Sequence, residues 1–217
     1  MKNNFNQEFF LKKYKYFIFD FDGIIKESVN SKNRAYCKLF EEYKFASRSI
    51  EKHHMQNGGV SRYEKIPLYL DYCKLKKTPS KINFYLKKFS QLSTKMVIES
   101  DWTPGIKTFL NKIQNKNSIF IVSATPEKEI KNICSKIDLN IPKINIYGSP
   151  NSKEKNIKKF FKTEFKSDYI FFGDSIQDSL AASIFEIDFA FRSYYFNSFI
   201  IPKYYNFIFE SFLDQKN

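Results

Sequence analysis

The sequence predicts an α/β protein: a Rossmann-like three-layer α/β/α sandwich with a parallel sheet, plus an inserted all-helical subdomain. From residue 101 onward, short apolar runs typical of buried strands alternate with helical periods and are joined by short turns. Between the first strand and residue 101, about 75 residues show helical periods and no convincing strand, which is too long for a simple crossover. We therefore expect a core formed by residues 1–25 and 101–217, with residues 26–100 as the helical insertion.

The first strand is the most distinctive stretch of the chain. Four apolar residues, Tyr16–Phe19, lead directly into Asp20-Phe21-Asp22-Gly23. A buried strand that stops at two carboxylates and a glycine turn is typical of the carboxyl edge where open α/β sheets bind their ligands. Close carboxylates repel each other unless a cation lies nearby, and their oxygens favour a hard cation such as Mg²⁺.

The insertion is expected to hold three helices, because apolar residues recur there at helical spacing. The apolar positions are Tyr36, Leu39, Phe40 and Tyr43 in the first helix, Ile66, Leu70 and Cys73 in the second, and Ile82, Tyr85, Leu86 and Phe89 in the third.

Turn and capping residues set the remaining elements. Thr103-Pro104 fits an N-cap followed by proline at the first helical position, and Thr125-Pro126 with acids in the next turn predicts another helix start. The other expected elements are strands at residues 119–122, 144–147, 169–172 and, as the last strand, 189–191, with helices at residues 152–161 and from about 176.

The aromatic tail at residues 194–212 has two interpretations. It either packs on the core or forms a dimer or membrane-surface contact. Asn197, Pro202 and Lys203 interrupt any clean amphipathic face, so we expect packing on the core.

Composition places the chain among globular proteins. It has 217 residues, of which 42% are hydrophobic and 18% aromatic, which excludes the disordered class. The formal net charge is +13, but the lysines are spread along the whole chain, without a clustered arginine face or a nucleic-acid-binding motif. This pattern favours a solvated basic surface that attracts a small anionic substrate. We expect no nucleic-acid partner, and a monomer or homodimer.

Cysteine usage and the amino-terminal stretch indicate the compartment. Cys37, Cys73 and Cys134 are odd in number and widely spaced, so neither a disulfide framework nor a zinc site is expected. The first residues lack a continuous apolar segment with a cleavage site, and no apolar run approaches membrane-spanning length. We expect a cytoplasmic protein with no membrane partner.

Residues suited to binding phosphate follow each of the first four expected strands. They are Asp20 and Asp22 after the first strand, Ser123 after the second, Lys153 or Lys155 after the third, and Asp174 with Asp178 after the fourth. Because the carboxyl ends of parallel strands meet at one edge of the sheet, we expect these side chains to converge.

This ordered set resembles the motifs of the haloacid dehalogenase superfamily. The superfamily's DxDG motif is similar to Asp20-Phe21-Asp22-Gly23, its strand-ending Ser or Thr to Ser123, and its GDSxxD motif to residues 173–178, with a lone lysine between them. The resemblance covers the chain from about Tyr16 to Arg192. The insertion after the first motif is similar to the helical C1-type cap of phosphoglycolate-phosphatase-like members, and we call it the cap.

The resemblance implies a mechanism. Asp20 would attack phosphorus in line and form an aspartyl-phosphate, while Asp22 would protonate the leaving alcohol and later deprotonate the hydrolytic water. The cofactor would be Mg²⁺, bound by the Asp20 carboxylate, the Asp22 backbone carbonyl and Asp174. The superfamily's dehalogenases lack the second acid of the first motif, so Asp22 favours phosphate-ester chemistry.

The phosphoryl oxygens are implied to be held by Ser123 and a lysine. Lys153 is favoured over Lys155 because it directly follows the turn, at the end nearest the carboxyl edge. Asp178 is implied to orient the lysine or a metal-bound water, although Ser175 and Asp178 also match the S-x-x-D pattern of a capping box.

The cap stretch at residues 53–62 is expected to recognise the leaving group. The candidate substrate-binding residues there are His54, Asn57, Gly58, Gly59 and Arg62. A purely structural interpretation is also open, because Ser61 and Glu64 match a capping box and the two glycines suit the turn before a helix. The NGGVSR sequence is similar to cap loops of small-molecule phosphatases in bacterial surface-glycan pathways, which suggests a short alcohol, amino alcohol or sugar as the leaving group.

The sequence therefore predicts a magnesium-dependent phosphomonoester hydrolase acting on a small phosphorylated metabolite, in a pathway such as bacterial surface-polysaccharide biosynthesis. The alternatives are a sugar phosphomutase of the same superfamily, and a basic binding protein on a vestigial phosphatase fold. The intact set of acids disfavours the second alternative.

Overall fold

A parallel sheet forms the centre of the computed structural model, which describes residues 5–193 and 201–214. Its strands are β1 (Tyr16–Phe19), β2 (Ile119–Pro126), β3 (Ile146–Ser149), β4 (Tyr169–Gly173), β5 (Asp188–Arg192) and β6 (Phe207–Phe209). The strand order is β3-β2-β1-β4-β5-β6, and every neighbouring pair is parallel. β1 therefore lies at the point where the strand order reverses, which in open α/β sheets is where a ligand crevice opens at the carboxyl ends.

Helices cover both faces of this sheet. In chain order they are α1 (Gln7–Lys13), α2 (Val29–Leu39), α3 (Lys44–Gln56), α4 (Arg62–Tyr72), α5 (Pro79–Glu99), α6 (Ile106–Lys112), α7 (Glu127–Lys136), α8 (Lys153–Ile157) and α9 (Ile176–Ile184). Because side chains alternate along a strand, Phe17 and Phe19 of β1 pack with α1, α6 and α7, whereas Ile18 packs with α8 and α9. This is the three-layer α/β/α sandwich predicted from the sequence.

Helices α2 to α5 form the cap and have a hydrophobic cluster of their own. Tyr36 and Phe40 of α2, Ile50 of α3, Tyr69 of α4 and Phe89 of α5 are among its buried members. The segment 44–56, where no helix was expected, is helical and carries both histidines. The domain boundaries at residues 26 and 100 stay a prediction.

The chain enters and leaves the cap side by side. The Glu27 amide donates to the Asp101 carbonyl at 2.8 Å, and the Thr103 amide donates to the Ile25 carbonyl at 3.1 Å. The two connecting segments are thus hydrogen-bonded to each other above the sheet.

Two elements begin later than expected. The helix predicted from Thr103 begins at Ile106, because Thr103 closes a turn with the Ile106 amide and Gly105 caps the helix with a left-handed φ of 81°. The strand predicted at residues 144–147 begins at Ile146, since Lys143–Asn145 form a 3₁₀ turn in which Ile144 is 78% exposed.

The helix predicted at residues 152–161 was too long. α8 ends at Ile157, after which the Phe160 amide donates to the Ile157 carbonyl at 3.1 Å in a tighter turn.

The aromatic tail contributes to the core where it is described; residues 194–200 lie outside the described residues. β5 is not the last strand, because β6 pairs with it beyond this gap. Phe209 and Phe212 are buried with Phe10, Phe109 and Phe172 in one aromatic cluster. The expectation of packing on the core is thus met in residues 207–212.

Two further observations bear on the sequence-based expectations. Cys37, Cys73 and Cys134 are free. In the part of the chain that the structure describes, no helix combines the length and the apolar character required to cross a lipid bilayer.

Candidate active site

The first acid is fixed by the end of β1. Asp20 is 4% exposed, and its amide continues the sheet by donating to the Phe172 carbonyl at 2.9 Å. Its Oδ1 accepts the Phe21 amide at 2.7 Å. The turn that follows requires a glycine, because Gly23 has a φ of 78° and a Cβ there would overlap the Asp174 carboxylate.

Three buried carboxylates converge at this edge. Asp20, Asp174 and Asp178 each offer an oxygen, and these oxygens lie within 4.8 Å of one another. Burial, together with the neighbouring carboxylates, raises the pKa of Asp174 well above its ordinary value, and burial raises the pKa of Asp20 to about 7 against the effect of Lys153. Mutually repelling oxygen donors of this kind fit a hard divalent cation such as Mg²⁺.

Lys153 neutralises part of this charge. Its Nζ lies 3.0 Å from Asp20 Oδ2 and also contacts Asp178 Oδ1. Although burial acts against the ammonium, these two carboxylates raise the pKa of Lys153. Lys155 is exposed, so of the two candidate lysines only Lys153 reaches the acids.

Asp178 takes part in two sets of contacts. One carboxylate oxygen contacts Lys153, while the other accepts the Ser175 hydroxyl at 2.5 Å and the Ser175 amide at 3.1 Å. The capping box suggested by the sequence is therefore present at the start of α9, in the same residue that contacts the lysine. A Cβ on Gly173 would overlap Asp178, which explains the glycine at the end of β4.

The Asp22 carboxylate turns away from the other acids toward the cap. Its Oδ1 accepts the Ser28 hydroxyl at 2.5 Å, and its Oδ2 is paired with Lys32, whose Nζ also lies 2.6 Å from Thr125 Oγ1. Although burial favours the protonated acid, the Lys32 ammonium and the Ser28 hydroxyl lower the pKa of Asp22. Sequence reasoning missed Ser28, Lys32 and Thr125, although Ser28 and Lys32 follow Asp22 closely, at the N-cap and in the first turn of α2.

Ser123 is buried in β2, and its Oγ accepts the Thr125 amide at 3.1 Å. The wall of the central cavity next to it is formed by Ala124 and Thr125. Ser123 itself is not among the residues lining that cavity.

A cavity of about 60 Å³ lies between the acids and the cap. It is lined by Asp20, Asp22, Asp174, Ala124 and Thr125 from the core and by Val29, Lys32, Tyr36, His54, Met55, Gly58, Gly59, Val60, Arg62, Lys65 and Phe89 from the cap. Four of the five cap residues predicted to bind substrate are thus at the cavity. Asn57, the fifth, lines an adjoining depression beside Ser175 and Gln177.

The glycine pair brings the cap loop against the core. Gly59 has a φ of 74°, and a Cβ there would overlap Ser175 Oγ and lie 3.0 Å from Gln177 Cβ. Ser61 caps α4 as anticipated, but its hydroxyl accepts the Tyr63 amide at 3.4 Å and not the Glu64 amide that the predicted capping box requires. Both interpretations of this stretch therefore describe part of it.

Arg62 reaches the cavity but is already bound. Its Nη1 and Nη2 donate to the two oxygens of Glu129 at 2.8 and 2.7 Å, and its Nη1 also donates to Ser90 Oγ at 2.6 Å. The guanidinium carbon lies 4.6 Å from the centre of the Phe89 ring. Glu129 was interpreted from the sequence only as an acid favoured in the first turn of a helix; its partner lies in the cap.

Lys65 lies one turn beyond Arg62 on α4, and sequence reasoning missed it as well. It is 2% exposed, and its Nζ lies 3.1 Å from His54 Nδ1. Burial, with the charge of Lys32, lowers the pKa of Lys65 to about 7. Burial also lowers the pKa of His54 well below its ordinary value, and the His54 imidazole is therefore neutral. His53 instead contacts the Tyr69 hydroxyl at 3.1 Å.

Comparison with known proteins identifies relatives of this fold. The family model of the haloacid dehalogenase-like hydrolases matches residues 17–191. No curated protein matches the chain significantly. A hydrolase of Pseudomonas syringae is similar in structure, with a TM-score of 0.70, 19% sequence identity, and coverage of 92% of this chain and 95% of that one.

Two further solved structures share the fold at similar identity. A predicted phosphoglycolate phosphatase of Haemophilus somnus has a TM-score of 0.68 and 17% identity, with coverage of 92% of this chain and 95% of that one. A β-phosphoglucomutase of Clostridium difficile has a TM-score of 0.68 and 17% identity, with coverage of 92% of each chain. Proteins named as hydrolases, phosphatases and mutases thus share this architecture.

Proposed function

This chain belongs to the haloacid dehalogenase-like hydrolases, and we propose that it is a magnesium-dependent phosphatase that hydrolyses a small phosphate monoester. The observation that carries the proposal is the convergence of Asp20, Asp174, Asp178 and Lys153 at one sheet edge, with Asp22 beside them at the same cavity. Phosphoryl transfer depends on positioned charges of this kind.

The proposed metal ligands are the Asp20 and Asp174 carboxylates and the Asp22 backbone carbonyl, with Asp178 close enough to hold a bound water. When bound, Mg²⁺ supplies charge that offsets the repulsion between the anionic nucleophile and the anionic phosphate.

In the first half of the reaction, an Asp20 carboxylate oxygen attacks phosphorus and the bond between phosphorus and the alcohol oxygen breaks. Lys153, which already contacts Asp20, is placed to hold the phosphoryl oxygens as charge moves onto the leaving oxygen. We assign Ser123 the same role from its motif position; its hydroxyl accepts the Thr125 amide and retains a proton to donate.

Asp22 supplies the proton to the departing alcohol in this first half. In the structure Lys32 and Ser28 hold its carboxylate in the ionised form, so Lys32 has to move off Oδ2 before Asp22 carries a proton. Because Lys32 lies on the first helix of the cap, a movement of the cap would separate Lys32 from Asp22.

The second half restores the enzyme. Asp22, now ionised, takes a proton from water, the water oxygen attacks phosphorus, and the bond to Asp20 breaks to release phosphate. The ionised state of Asp22 favoured by Lys32 and Ser28 suits this step, since a general base has to be deprotonated.

The cavity size supports a small substrate. The cavity between the acids and the cap measures about 60 Å³, and its small size favours a small phosphorylated metabolite over a large one. A short phosphorylated alcohol, amino alcohol or sugar in a surface-polysaccharide pathway, and a cytoplasmic location, remain part of the proposal and rest on the sequence.

The test is phosphate release from a panel of small phosphate esters in the presence of magnesium. We expect turnover by the wild type that is lost on chelation and in Asp20→Asn. Asp71→Asn serves as the matched control, because Asp71 lies in the cap and pairs with Lys77 at the surface. A wild-type enzyme that binds magnesium but releases phosphate from none of the esters would refute the hydrolase.

The fate of the phosphoryl group distinguishes a mutase from a phosphatase. A mutase returns it to the product, so a ³²P-labelled substrate would yield a phosphorylated isomer with little free phosphate. We expect free phosphate to be the labelled product.

A further inference from the structure

The cations that line the cavity differ in how their charge is balanced. Lys32 pairs with Asp22, and Arg62 pairs with both oxygens of Glu129. Within residues 5–193 and 201–214, Lys65 makes no ion pair, although it is the most deeply buried of the three. It is therefore the one cavity-lining cation of the described chain that has no ion-pair partner.

The surroundings of Lys65 leave its ammonium available to a ligand. His54 is neutral, so its Nδ1 accepts one ammonium proton at 3.1 Å. An ammonium has three donors, and no other hydrogen bond within the described residues uses the remaining two. Lys65 and the catalytic acids Asp20 and Asp174 line the same cavity.

We propose that the leaving group of the substrate carries a second anionic group, a carboxylate or a phosphate, and that Lys65, positioned by its neighbour His54, binds it. The proposal rests on the proposed function, because the phosphate to be cleaved is taken to lie at Asp20 and Lys153.

Electrostatics favours an anion over a neutral group at this position. A buried charge without a counterion is unfavourable, and a charge-assisted hydrogen bond to a carboxylate or phosphate oxygen relieves that cost. A neutral hydroxyl gives a weaker hydrogen bond and no charge compensation. Because Lys65 and the acids line one small cavity, we expect a short linker between the two anionic groups.

The proposal is tested by calorimetric binding of two phosphonates that cannot be hydrolysed as esters. In the presence of magnesium, 3-phosphonopropionate carries the second anion, while propylphosphonate has the same chain without it. We expect the wild type to bind 3-phosphonopropionate at least tenfold more tightly, and Lys65→Met to bind both within twofold of each other. Lys87→Met, which removes an exposed charge from the cap, should keep the wild-type ratio.

A wild-type ratio below twofold would overturn the proposal, whether or not Lys65→Met folds. Retention of the tenfold ratio in a folded Lys65→Met would overturn it as well, since the anion would then be held elsewhere. Lys65→Arg is expected to retain part of the preference, because it keeps the charge.

Turnover separates this proposal from the proposed function. The esters are 2-phosphoglycolate, ethane-1,2-diol bisphosphate and 2-hydroxyethyl phosphate, which carry a carboxylate, a second phosphate and a neutral hydroxyl. Preferential hydrolysis of either anionic ester, lost in Lys65→Met, supports the site and names the group. Equal hydrolysis of all three supports the phosphatase and removes the second-anion site. A tenfold binding preference without any hydrolysis supports the site and refutes the phosphatase.

Discussion

Arg62 and Glu129 form a bidentate ion pair between the cap and the core, with nitrogen to oxygen distances of 2.8 and 2.7 Å. Arg62 begins α4 of the cap, and Glu129 lies in the first turn of α7 of the core. Ser90 of α5 strengthens the junction by donating to Glu129 Oε2 at 2.7 Å. Both charged side chains are largely buried, and the pair links the cap to the core.

We expect Glu129→Gln to lower the free energy of unfolding by about 3 kcal/mol, because it leaves the buried Arg62 guanidinium without its counter-charge. The double variant Arg62→Met with Glu129→Met should lose less than Glu129→Gln alone, since no isolated charge remains. Urea unfolding measures both. Additive losses of the two single Met substitutions would show that the pair is uncoupled.

A second expectation concerns Lys65 and pH. In the folded protein its pKa is about 7, while in the unfolded chain it is near the ordinary lysine value of 10.5. Between these two pKa values the unfolded state therefore holds more protons than the folded state. The contribution of Lys65 makes the free energy of unfolding rise with pH across that window, and this free energy is lowered most at or below pH 7. Lys65→Met should raise the melting temperature most near pH 6 to 7 and progressively less toward pH 10.

The groups that set this pKa lie on several elements. The Lys32 charge lowers it along with burial, while Asp22, Glu64 and Asp174 raise it, and His54 is the hydrogen-bond partner. Melting curves of both proteins at closely spaced pH values provide the measurement. A difference in melting temperature that does not change from pH 6 to pH 10 would contradict the expectation.

A third expectation concerns the glycine pair of the cap loop. Gly59→Ala introduces a Cβ at a positive φ and against Ser175 and Gln177, so the loop cannot seat on the core as it does now. We expect kcat/KM to fall about tenfold or more, because a small displacement of the groups that position the substrate slows the reaction. Gly58→Ala is the matched control, because Gly58 lines the same cavity without a positive φ. Equal losses in both variants would refute the seating argument.

A fourth expectation concerns the acids without their metal. Burial and like charge raise the pKa of Asp174, so removing its charge by Asp174→Asn should stabilise the metal-free protein. Magnesium should raise the melting temperature of the wild type with the logarithm of its excess over Kd, and should leave that of Asp174→Asn almost unchanged. Thermal unfolding across a magnesium titration measures both effects. A wild type unaffected by millimolar magnesium would refute the metal site.

The acid set was the part of the site that the sequence could predict. Asp20, Asp174 and Lys153 each follow a strand, and a parallel sheet brings strand ends together whatever the side chains elsewhere do. The layered fold was predictable as well, because hydrophobic periodicity and turn residues are local signals in the sequence. The helix start at Gly105 was not, since the backbone of Phe212, far along the chain, lies against that glycine.

Pairings between charged side chains on distant elements were beyond the sequence. Arg62 was expected to bind the substrate, but its guanidinium is in an ion pair with Glu129. Nothing in the sequence spacing of these two residues indicates that they meet. Lys32 and Lys65 looked like members of a spread-out basic surface. Only the packing of the cap on the core shows that Lys32 is paired with an acid and that Lys65 is buried without an ion-pair partner.

The side-by-side hydrogen bonds between the two connecting segments, Glu27 to Asp101 and Thr103 to Ile25, have an evolutionary consequence. An insertion whose ends are adjacent leaves the register of the surrounding sheet unchanged when it is lengthened, shortened or replaced. The cap also buries its own apolar side chains, so a replaced cap would bring most of its packing contacts within itself. Selection can therefore alter the cap side of the cavity while the acids on the strand ends stay in place.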